Sequence, residues 1–177
     1  MNIPTLVRRM AAALFLAGAV ATSAGAALEA TAPAIEAAYL YKFGFFVQWP
    51  QTAFAASDSP INLCIVGNDP FGSMLDDMVV GQKIGARPIA VRRMNAISAG
   101  SGCHIVYAPG DETLAALHGS DVLTVTDATA HDGAAIINFV IKDNKVRFDI
   151  DDDAAASGGL VISSRLLSLA LDVKPRH

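Results

Sequence analysis

The apolar positions of this chain fall into short runs whose spacing switches between helical and strand-like. Residues 10–21 are apolar or small without a break, a run too short to span a bilayer, which takes about 20 residues. Residues 29–47 are rich in Ala, Glu and Leu and then in aromatics, which predicts a helix that Pro50 stops. Tyr39, Phe43 and Phe46 share one face by the i, i+4, i+7 rule, while Tyr41 and Phe45 lie elsewhere on it. Residues 61–66 form a buried strand, and 71–80 a helix with Asp76 and Asp77 on its wet side. Residues 88–93 and 103–108 are further strands, 112–118 a short helix, and 122–125 a fourth strand. The first, third and fourth strands are continuous apolar runs, as parallel strands covered on both faces are. Strand–helix alternation of this kind predicts one α/β layered domain.

The period then drops to two. Residues 135–141 and 146–150 flank Lys142-Asp143-Asn144-Lys145, a hairpin in which Asp143 and Asn144 can take the positive φ of a tight turn. Val146, Phe148 and Ile150 alternate with Lys145, Arg147 and Asp149, so one face is wet and this arm is placed at a sheet edge. Asp151, Asp152 and Asp153 open a short alanine helix, where acids suit the N-terminal dipole, and Gly158-Gly159 closes it. Residues 160–171 are expected as a last, Leu-rich helix.

The first apolar run has a context. Arg8 and Arg9 precede it and Ala24-Gly25-Ala26 follows it, the order of a secretory signal peptide cleaved near Ala26. The expected layout is therefore a signal peptide at 1–26 and a single domain at 27–177, located in the periplasm. Without the leader, 11 basic residues face 17 acidic ones, a net charge of −6. An acidic domain argues against nucleic acid as a partner. In an oxidising compartment the even pair Cys64 and Cys103 reads as a disulfide, with two buried thiols as the alternative.

No catalytic set emerges from spacing. His104, His118, His131 and His177 form no metal or triad motif. A calcium loop starting at Asp149 fails, because Ala154 stands where Gly is needed and Leu160 where Glu is needed. Gly67-Asn68-Asp69-Pro70-Phe71-Gly72 lies where α/β folds hold phosphates, but it lacks the three-glycine fingerprint, and Asp69 would repel an anion. The chain is therefore read as no enzyme, with no cofactor and no metal. Arg147, Ser163, Ser164 and Arg165 are candidates for holding a small anion or a polar wall fragment, against a serine cap with surface arginines. Six of the chain's twelve aromatics lie between Tyr39 and Trp49. Most belong to a core, and Tyr39, Tyr41, Phe45 and Trp49 are the candidates for facing a partner.

Two stretches of the first half are Ala38-Tyr39-Leu40-Tyr41-Lys42-Phe43 with Trp49-Pro50, and Leu63-Cys64-Ile65-Val66-Gly67 with Asp69-Pro70-Phe71-Gly72. Three more are Cys103-His104-Ile105-Val106-Tyr107, Ile137-Asn138-Phe139-Val140 through Val146-Arg147-Phe148-Asp149-Ile150, and Gly159-Leu160 through Ile162-Ser163-Ser164-Arg165-Leu166-Leu167. By these stretches, in this order, the chain resembles the YfiR-like family of bacterial periplasmic proteins. The departures are Gly133-Ala134, often Gly-Gly in the family, and Val161, often longer; both bear on a local binding surface. The resemblance implies a Rossmann-like layered α/β sandwich, with a mostly parallel sheet ending in a β-hairpin, helices on both faces, and a Cys64–Cys103 disulfide. It also implies a repressor-type regulator that binds the periplasmic domain of an inner-membrane signalling protein. That partner is a diguanylate cyclase controlling cyclic-di-GMP and biofilm output, or else a sensor kinase. An OmpA-like outer-membrane lipoprotein as sequestering partner and a homodimer are implied as well. The alternative function is a periplasmic protein that binds a small molecule or cell-wall fragment.

Overall fold

A computed structural model describes residues 31–110, 113–127 and 135–177. The signal peptide assigned to 1–26, His131 and the Gly133-Ala134 pair lie outside the described residues. An eight-stranded mixed sheet forms the centre. Its strands are β2 (Ile61–Val66), β3 (Lys83–Ile84), β4 (Arg87–Met94), β5 (Ile105–Tyr107), β6 (Leu123–Thr126), β7 (Ile137–Lys142), β8 (Lys145–Asp151) and β10 (Val173–Lys174), in the order β10-β8-β7-β6-β5-β2-β4-β3. The five strands from β4 to β7 pair in parallel, and β7–β8 is the antiparallel hairpin. Asp143 and Asn144 take φ of 51° and 57° at its turn, the left-handed values expected of them. A separate two-stranded ladder joins β1 (Val47–Gln48) to β9 (Val161–Ile162).

Alternation along the strands gives the sheet two unlike faces. Leu63, Ile65, Ile105, Leu123 and Phe148 point into the larger core, with buried residues from α1 (Ala32–Phe43), α2 (Ser73–Val79), α3 (Asp152–Ser157) and α4 (Ser164–Leu167). Cys64, Val66 and Val106 point the other way, into a smaller core that the 3₁₀ turn at Ala115–Leu117 covers with Leu114 and Leu117. Each fully buried Leu or Ile contributes about 1.5–3 kcal/mol relative to exposure. Cys64 and Cys103 form the disulfide, with Cα atoms 6.0 Å apart, tying β2 to the segment leading into β5.

The elements depart from the sequence expectations in four places. The first helix ends at Phe43, not at Val47. Gly44 lies against the side-chain ends of Ile84 and Ile105, which a Cβ there would have to displace, and the chain then passes through a 3₁₀ turn (Gly44–Phe46) into β1. The short helix expected from residue 112 is only the 3₁₀ turn at Ala115–Leu117 within the described residues. The helix expected over 160–171 is cut to the single turn α4, because Val161 and Ile162 pair with β1 and Val173 and Lys174 pair with β8. The second hairpin arm is not the sheet edge, since β10 lies beyond it. The alanine helix α3 does form as expected: Asp151 caps it by accepting a hydrogen bond from the Ala154 N–H at 2.8 Å.

Candidate interaction surface

The aromatic segment divides by the face each residue takes. Tyr39 stacks on Phe43 with centroids 6.0 Å apart and meets Phe148 edge-on at 5.5 Å, so most of its ring belongs to the larger core. Tyr41 and Phe45 form an edge-to-face pair 6.4 Å apart on the outer side, where Phe45 is 46% exposed. The Lys42 ammonium lies 5.8 Å from the Tyr41 ring centre. Trp49 turns away from this pair and meets Phe54 edge-on at 6.5 Å.

The β1–β9 ladder then brings in residues far along the chain. Gln48 pairs with Val161, which is 45% exposed, and the Ser163 N–H donates to the Phe46 carbonyl at 2.9 Å. Ser163 therefore lies beside the aromatic segment at Phe46. Ser163 is a helix cap, its hydroxyl oxygen accepting from the Leu166 N–H at 3.3 Å. Ser164 and Arg165 are exposed. Arg147 does not join them. Val146, Phe148 and Ile150 of β8 fill the larger core, so Arg147 projects from the opposite face of the sheet.

The carboxyl ends of the parallel strands carry a different chemistry. Asp69 Oδ1 accepts from the N–H groups of Phe71 (2.8 Å) and Gly72 (3.1 Å), filling the place an anion would take in the turn after β2. Its other oxygen meets Arg93 Nε at 2.7 Å, and the same guanidinium reaches Asp76 at 2.6 Å, holding the Asp76 carboxyl below its ordinary value. Burial raises the Glu36 carboxyl, and Asp127 raises it further. Burial also pushes up the Tyr107 phenol, with Asp127, Glu36 and Asp69 adding to the shift. Acids thus line this edge, and two of them are paired with Arg93.

The amino ends carry a stack that spacing did not reveal. The Arg87 guanidinium lies 3.6 Å from the Phe54 ring centre, and the far side of Phe54 stacks on His104 at 4.6 Å. His104 Nδ1 accepts from the Asn62 N–H at 3.0 Å, which leaves Nε2 to donate to the Ala53 carbonyl at 3.1 Å. Burial lowers the pKa of this imidazole. His104, just ahead of β5, is thus a structural histidine. Residues 54, 87 and 104 lie far apart in sequence, so only the fold unites them.

No group of three metal-binding side chains occurs among the described residues, and no described helix is long and apolar enough to cross a membrane. Fold and surface define a disulfide-bonded α/β layered protein whose exposed chemistry is an aromatic strip beside a short ladder. The chain belongs to the YfiR/HmsC-like family, whose model matches residues 33–171. No curated protein matches it.

Proposed function

We propose that this protein is a periplasmic regulator that binds the periplasmic domain of an inner-membrane signalling protein and holds it in its inactive state. A diguanylate cyclase is the partner favoured, with a sensor kinase second. Membership of the YfiR/HmsC-like family supports the reading. So does exposed Phe45, paired with half-buried Tyr41, with exposed Val161 on the adjoining ladder, because large apolar side chains left at a surface suit a contact site. The mechanism is differential affinity. The protein binds the off state better than the on state, and a tenfold preference shifts the equilibrium by about 1.4 kcal/mol. No turnover is assigned to it.

The test is Phe45→Glu in cells, with cyclic-di-GMP and protein level measured together. Phe45 is 46% exposed and lies outside the buried cores, so the loss should be limited to its pair with Tyr41, about 0.5–1.5 kcal/mol. Cyclic-di-GMP should rise toward the level of a strain lacking the protein. Unchanged cyclic-di-GMP, with the variant present at wild-type amounts, would rule out this strip as the contact.

A further inference from the structure

The amino-end stack forms one wall of a cleft of about 440 Å3, lined by Trp49, Gln51, Phe54, Ala56, Ser57 and Arg87. That is the size range of small-ligand sites. Two features fit it for a ligand. First, Arg87 is fixed in plane and only partly used. Nη1 donates to the Ala56 and Ser59 carbonyls, both at 2.8 Å, and the guanidinium face lies on Phe54. Nε and Nη2 make no hydrogen bond among the described residues, and together they form the side-on edge that grips a carboxylate with two parallel bonds. Asp58 is on the same loop but exposed, and it makes no ion pair with Arg87 among the described residues. Second, Trp49 and Phe54 meet edge-on at 6.5 Å and give the cleft an aromatic wall beside that edge.

We infer that this cleft is a binding site for a small organic anion with a flat apolar body, an aromatic carboxylate by class. Arg87 takes the carboxylate, Gln51 and Ser57 offer further polar contacts, and Trp49 with Phe54 supplies the apolar wall. The site is distinct from Arg147 and from Ser163–Arg165. The inference does not depend on the partner reading, since it concerns the protein alone.

The test uses the whole disulfide-bonded chain with benzoate, benzyl alcohol and acetate as probes. Trp49 is the chain's one tryptophan, so its emission reports on the cleft. Benzoate is expected to shift that emission saturably, with the neutral and ring-free probes at least about tenfold weaker. In NMR spectra benzoate should move the Trp49 indole signal and the Ala56 and Ser57 amides. Arg87→Lys keeps the charge but loses the two-donor edge, and should weaken benzoate about tenfold. If that variant misfolds, the wild-type probe series and NMR map decide. Equal binding of benzoate and benzyl alcohol, shifts centred on Arg147 or Arg165, or no saturable benzoate effect would overturn the assignment.

Discussion

At the scale of single residues, burial decides what the polar groups do. His104 is neutral in the fold, because its Nδ1 already accepts a backbone N–H and burial disfavours its charged form. Its folded pKa lies below the ordinary 6.5, so its contribution is complete above that pH. The contribution is lost as pH falls from there through the folded value. His104→Asn keeps an acceptor near Asn62 and removes the titration. It should be less stable than wild type at pH 7, yet lose less stability between pH 7 and pH 5. Chemical denaturation across that range checks this, and parallel profiles would contradict it. Glu36 works in the opposite sense. It is 8% exposed with a raised pKa, so its contribution is present at acid pH and fades as pH rises through the folded value.

At the scale of elements, close approaches set the packing. A Cβ on Gly158 would run into the Ser120 carbonyl, where α3 ends against the loop before β6. The obstacle is backbone, not the flexible end of a side chain. Gly158→Ala should therefore cost roughly 1–3 kcal/mol, read from denaturant midpoints at unchanged m-value. An unaltered midpoint would show that the loop moves aside freely. Elements with local causes were legible in the sequence. The apolar run of β2, the Asp143-Asn144 turn and the Asp151 cap all appear where the residues place them. Elements made by distant pairing were not. Ile162 has helical spacing with Leu166, yet its partner is Val47. The candidate site divides the same way. Ser163 as a cap is written in its own neighbourhood, whereas nothing local links Phe54, Arg87 and His104.

At the scale of the whole molecule, the sheet carries both ends of the account. The disulfide closes a loop between residues 39 positions apart. The chain-entropy model gives about 4 kcal/mol for a loop of that length. The double variant Cys64→Ser, Cys103→Ser should lose an amount of that order in urea. If the fold must be rigid to hold a partner, its cells should also show raised cyclic-di-GMP. A clearly destabilised variant with normal output would separate stability from regulation. The acidic carboxyl edge, the aromatic amino-end cleft and the Tyr41–Phe45 strip occupy different parts of one scaffold, so each can be altered without the others.

Site-specific photo-crosslinking in intact cells tests the central claim most directly, with the photoreactive residue at Phe45 and, as control, at exposed Ile141 of the hairpin. The account predicts an adduct from position 45 with an inner-membrane protein that carries a cytoplasmic cyclase or kinase domain, and none from position 141. An adduct from 141 alone, or protein found only in the cytosol, would contradict it.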